Sequence, residues 1–145
     1  MKTLIVACLV LTVAGCATVP RLVLPDTNGA SQKDLDALLA AAPLAAGENI
    51  RAVALGHTET SSYHLVQVRD RERPHVHAVH DFSVTLLRGS GTLFVAGAAH
   101  ELHPGDVAVV PRGTAHYFVN AAATPSVAFV TFSPAYDGKD QVPVE

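Results

Sequence analysis

The sequence predicts an all-β domain, closed as a sandwich or barrel, on two observations. From Ile50 onward the chain carries about eight short runs rich in Val, Leu, Phe and Thr, and turn compositions separate them without intervening helices. The runs are IRAVAL, SYHLVQV, PHVHAV, FSVTLL, GTLFVA, DVAVV, AHYFV and VAFVTF. Within FSVTLL, Phe82, Val84 and Leu86 share one side of a strand, and Ser83, Thr85 and Leu87 the other. Arg88-Gly89-Ser90-Gly91 and His103-Pro104-Gly105-Asp106 are tight-turn sequences. The β domain is expected over 49–137, with a C-terminal tail over 138–145.

A short helical segment is expected ahead of it, over 31–48. Ser31 and Asp34 have capping-box-like spacing, and Leu35, Leu38, Leu39 and Ala42 fall at helical intervals. Pro43 and Gly47 close the segment, which would pack on the outside of the domain; the other reading continues the linker through it. Residues 16–30, with two prolines, one glycine and no clear period, read as a tether.

The first residues bear on compartment. Lys2, the apolar run Leu4 to Ala14 and the small residues after it make a secretory signal over 1–15. The run is too short for a membrane-spanning helix, which needs roughly 20 apolar residues. Val13-Ala14-Gly15-Cys16 resembles a bacterial lipobox, which implies cleavage before Cys16 and lipidation of that cysteine. Ala17, in place of Asp, resembles lipoproteins sorted to an outer membrane, so the expected location is the cell envelope, on the periplasmic face of that membrane. An ordinary secreted protein with a chance cysteine is the alternative. Cys8 leaves with the signal, so the remaining 130 residues have no thiol free for a disulfide and depend on their core for stability. The chain carries 10 basic and 13 acidic residues, and no basic block marks it for nucleic acid.

The histidines carry the chemistry. There are eight, and His75 and His77 stand two apart, which on a strand sends both imidazoles to one face. Neutral imidazole ligates Zn, Fe, Ni, Cu or Mn. Downstream, GDVAVVPRGTAHYFVN places Gly105, Pro111, Gly113, His116 and Asn120 at fixed intervals.

These residues resemble the two motifs of the cupin superfamily, G(x)5HxH(x)3–4E(x)6G and G(x)5PxG(x)2H(x)3N. The second is matched at every defined position, and the first by His75, His77 and Gly89, with fifteen residues, Ser90 to Pro104, between the motifs. The resemblance covers roughly Tyr63 to Phe132. It implies a jelly-roll β-barrel with a divalent metal near one mouth, held by His75, His77 and His116.

Two positions depart from the family pattern. Arg69 replaces the opening glycine, and the carboxylate is displaced. Counted forward from His77, Asp81 takes the place of the Glu; counted back from Gly89, that place is Phe82, which binds no metal. Asp81 is out of phase with Phe82, Val84 and Leu86, so it needs a bulge near Val79–Asp81 to face inward. Asp81 ranks first as fourth ligand, His80, which shares the inward phase, second, and a three-histidine site completed by water third.

Other candidates carry less. His64 either lines the barrel near the metal or is an ordinary core or surface histidine, while His57, His100 and His103 sit near turns. Arg69, Arg71 and Arg73 alternate with Asp70 and Glu72, as a charged connection or as a face for an anionic substrate. Tyr63, Tyr117 and Phe118 read as wall and core. Open metal positions admit Lewis-acid work, an activated water or dioxygen binding. The expected functions are a metal-dependent small-molecule enzyme, of dioxygenase or isomerase type, or a non-catalytic ligand-binding or sensing module; a structural barrel without metal is the third. Partners would be a small molecule and a lipid anchor, with self-association through a strand edge as a further possibility.

Overall fold

A computed structural model describes residues 19–144. Lys2, the apolar run and Cys16 lie outside the described residues. Twelve strands and one helix follow in chain order: β1 (Arg21–Asp26), β2 (Gly29–Asp34), α1 (Leu35–Ala41), β3 (Ile50–His57), β4 (Ser62–Val68), β5 (His75–His77), β6 (Asp81–Arg88), β7 (Gly91–Val95), β8 (Ala98–Leu102), β9 (Val107–Val110), β10 (His116–Asn120), β11 (Ser126–Ser133) and β12 (Gln141–Pro143). Two five-stranded antiparallel sheets, in the orders β12-β5-β10-β7-β8 and β3-β4-β11-β6-β9, face one another as a jelly roll.

Alternation along the strands divides the apolar residues between two cores. Phe82, Leu86, Leu93, Phe118, Val130 and Phe132 belong to the cluster between the sheets. Residues of opposite phase on the second sheet, Leu65 and Val127, join Leu22, Leu24 and Leu35 in a separate cluster. Two glycines permit close approach. Gly89 has φ +87°, and a Cβ there would lie 2.8 Å from the Cα of Ser126; at Gly91 a side chain would collide with the Phe118 ring and the Val119 carbonyl.

The N-terminal expectations change in two respects. Residues 21–34, read as tether and helix start, form the β1–β2 hairpin, because Leu22 and Leu24 alternate with exposed neighbours and the pairing closes at Asp26 and Gly29. The helix begins four residues later than Ser31. Asp34 is its N-cap, its Oδ1 accepting the amides of Asp36 at 2.9 Å and Ala37 at 3.2 Å, while Ser31 is spent on pairing with Leu24. Leu35 then enters the second cluster fully buried, so hairpin and helix together cover an outer sheet face. At the other end, within the expected tail, residues Gln141–Pro143 form β12, which pairs with β5 and places Gln141 opposite His77 and Pro143 opposite His75.

Candidate metal centre

The sheet containing β5 and β10 brings the two motif halves together. His116 is the cross-strand partner of His75, and His77 lies two residues along the same face. Ahead of β10, Pro111–Gly113 makes a turn, with Gly113 at φ +72° and the Thr114 amide donating to the Pro111 carbonyl at 3.2 Å. The Gly113 amide donates to the His77 carbonyl at 2.7 Å, which ties this turn to the other half of the site. Motif residue Asn120 is structural: it donates to the Arg69 carbonyl at 2.9 Å and accepts from Ser126 Oγ at 2.6 Å.

The three rings converge. Centroids are 4.3 Å apart for His75–His116, 5.2 Å for His75–His77 and 5.5 Å for His77–His116, and one nitrogen from each lies within 4.8 Å of the others. All three residues are buried. His75 Nδ1 lies 2.8 Å from the Arg73 carbonyl and His116 Nδ1 2.9 Å from the Thr114 carbonyl. A carbonyl oxygen only accepts, so both Nδ1 atoms carry hydrogen and each Nε2 keeps its lone pair for a metal. Burial pushes His77 down to about 4, with the neighbouring His75 adding to it. Burial likewise pushes His116 down to about 4, against the opposing bond to the Thr114 carbonyl. Both rings are therefore neutral at pH 7, the form that ligates.

His77 differs from the other two. Its Nδ1 is buried without a hydrogen-bond partner among the described residues, 3.9 Å from Asp140 Oδ2. Asp140 reaches in from the segment before β12 and accepts the amides of Ala78 at 2.9 Å and Val79 at 3.1 Å, with His80 Nδ1 at 2.6 Å. Burial raises the Asp140 carboxyl, but the bonds from His80, Val79 and Ala78 together outweigh it and hold it down to about 2. The group is thus an anion beside the open nitrogen of His77.

Among the sequence candidates, His75, His77 and His116 come together and the fourth ligand does not. Asp81 points outward: its carboxylate takes the Arg112 guanidinium at 2.7 Å and the Arg112 amide at 2.9 Å, and these bonds hold its carboxyl below the usual range. No bulge rescues it, since β6 pairs with β11 without a shift from Asp81 to Leu86. Phe82 takes the inward place beside the rings. His80 is buried but stands outside the trio, its Nδ1 held by Asp140 and its Nε2 3.3 Å from the Ala135 carbonyl. Half-buried His64 rests edge-on against Phe132, with Nε2 2.9 Å from Ser62 Oγ. His57, His100 and His103 are exposed. Arg69 bonds the Glu48 and Ala45 carbonyls, and Arg71 lies over the Tyr117 ring.

The histidines border a cavity of about 90 Å³ between the sheets. Its walls are mostly apolar, and Glu72 is the one carboxylate lining it among the described residues. Glu72 Oε2 accepts the Phe118 amide at 2.9 Å. Burial raises its carboxyl, against the opposing influence of His75 and that amide. Sequence reasoning missed Glu72 and Asp140. Glu72 looked like one member of an alternating surface run, and Asp140 lies some sixty residues beyond the histidines it serves. Three converging buried imidazoles, two fixed by carbonyls and the third beside a carboxylate, fit a divalent first-row ion.

Comparison with known proteins agrees with this geometry. A family profile described as "Cupin domain" matches residues 62–132. A protein of Aquifex aeolicus (strain VF5), described as an uncharacterized protein, is 42% identical over 98 residues, which are 68% of this chain and 80% of that one. The structure of KdgF from Halomonas sp. superposes with a TM-score of 0.58 at 28% identity, over 61% of this chain and 82% of that one. Streptomyces Pac13, a nucleoside dehydratase, superposes with a TM-score of 0.57 at 19% identity, over 67% of this chain and 79% of its own, a likeness of fold alone.

Proposed function

The chain belongs to the cupin family, and from that premise we propose that it is a metal-dependent small-molecule enzyme, of dioxygenase or isomerase type, displayed on the cell envelope. The observation that carries the metal is the convergence of His75, His77 and His116 as buried rings around one point, with His77 and His116 held neutral by burial. Three protein nitrogens leave coordination positions open, and a bound ion would supply Lewis acidity or, if redox-active, electron transfer. The chain's own contributions are distinct from that chemistry. The histidines orient the ion, the apolar walls exclude water, and Glu72 is the group in the cavity able to hold or release a proton.

Anchoring belongs to the same proposal, supported by the apolar run from Leu4 to Ala14 and by Cys16 in a lipobox-like sequence. Mass spectrometry of the membrane fraction tests it: an acylated peptide starting at Cys16 is expected, and an unmodified Cys16 in a soluble form overturns the anchor. Elemental analysis with anomalous diffraction tests the metal, with about one equivalent expected. Turnover is tested by oxygen uptake and isomerase assays on metal-loaded protein. A non-catalytic binding module is the second reading, favoured by Phe82 where a ligand carboxylate would stand; ligand co-purification without turnover would select it.

A further inference from the structure

We infer that this site takes a small molecule with an apolar body and a single polar, metal-directed end, and excludes polyols, sugar acids and nucleosides. The inference rests on the reading that the three histidines hold a metal, and it adds the chemical class of the ligand.

It follows from counting the polar partners that a bound molecule would meet. Beyond the histidines, the cavity is walled by side chains such as Phe82, Leu86, Leu93, Phe118, Val130 and Phe132. Among the described residues one hydroxyl, that of Ser126, lines it, and its hydrogen is given to Asn120 Oδ1 at 2.6 Å. Glu72 already accepts the Phe118 amide with Oε2. Among the described residues a ligand therefore finds the metal, the remaining Glu72 oxygen and Ser126 Oγ as an acceptor, and little else to bond. Each further hydroxyl carried into the cavity would lose water without replacement, at roughly tenfold or more in affinity. Each methylene placed against the walls would gain about fourfold. The two effects separate ligand classes that share the same metal-binding head.

Alkyl hydroxamates provide that comparison, because the head is constant and the tail varies. The full chain, loaded with Co(II), is titrated with acetohydroxamate, propanohydroxamate, butanohydroxamate and pentanohydroxamate, and with gluconohydroxamate as the polyol of the series. Cobalt uptake is measured first on the same sample. The expected result is one equivalent of cobalt, an affinity rising about three- to fourfold per methylene, and gluconohydroxamate binding no tighter than acetohydroxamate. A series flat with tail length, or a gluconohydroxamate tighter than the alkyl members, overturns the inference while leaving the metal reading in place. Failure to take up cobalt overturns both.

Discussion

The Phe82 ring lies 4.7 Å from that of His116, centroid to centroid, with the planes inclined at 50°. An apolar ring thus packs against the converging imidazoles at the inward position of β6, while its neighbour Asp81 is turned out to Arg112. The site gains hydrophobic surface and forgoes an anionic ligand.

Replacing that ring tests the trade. Phe82→Glu is expected to raise Zn(II) or Co(II) affinity at least tenfold by supplying a fourth, anionic donor. Without metal the same variant should be less stable by a few kcal/mol, because a buried carboxylate is left unpaired. Competitive chelator titration and urea unfolding measure the two; unchanged affinity would refute the inward placement.

Asp81→Ala should leave metal affinity within twofold of wild type. Its carboxylate is exposed and bound to Arg112, so only a small loss of stability is expected. A tenfold or greater fall in affinity would return Asp81 to the ligand set.

Asp140→Asn should weaken metal binding by roughly tenfold or more, as loss of an outer-shell carboxylate commonly does. The amide oxygen of Asn retains a bond to the Ala78 or Val79 amide, so the fold is expected to persist. In ¹⁵N NMR of the zinc form, the His77 Nδ1–H resonance should move upfield in the variant. An unmoved resonance together with unchanged affinity would assign Asp140 to loop structure alone.

In metal-free protein, stability should fall as the solution is acidified from about pH 6.5 toward 4. His77 and His116 have folded values near 4, below the 6.5 of a free imidazole, so the unfolded chain takes up more protons across that window. Their contribution is complete above the unfolded value and lost on descent to the folded one. Each unit is worth about 1.4 kcal/mol, so the two rings together account for a few kcal/mol. Urea midpoints at pH 7.5 and 5 measure it, and a flat profile would contradict the burial of these rings.

Leu35→Ala should cost about 2–5 kcal/mol, since the side chain is fully buried between the hairpin and the sheet. Metal affinity should remain within twofold, because this cluster lies outside the barrel interior. A loss below 0.5 kcal/mol would indicate that 21–42 is a tether after all.

The barrel and the three histidines were legible because both rest on local regularities. Period-two alternation marks strands such as β6, and fixed intervals from Gly105 to Asn120 place His116. The fourth-ligand question was framed correctly by the phase of Phe82, but the hoped-for bulge at Asp81 depended on pairing with β11, which no local signal encodes. The β1–β2 hairpin had readable cues in the Leu22–Leu24 alternation and the Asn28-Gly29 pair, outweighed by Pro20 and Pro25, which suggested a linker. Glu72 and Asp140 were invisible for a different reason. Each acts through a tertiary contact, one with the Phe118 amide and one with His80 and the amides beside it, and neither sits in a sequence pattern of its own.

Because Asp140 and β12 stand behind His77 at the far C-terminal end of the described chain, the order of synthesis matters. A nascent polypeptide that has already released all three histidines still lacks the carboxylate beside one of them and the strand that pairs with two. The surroundings of His75 and His77 are therefore complete only once those residues have emerged.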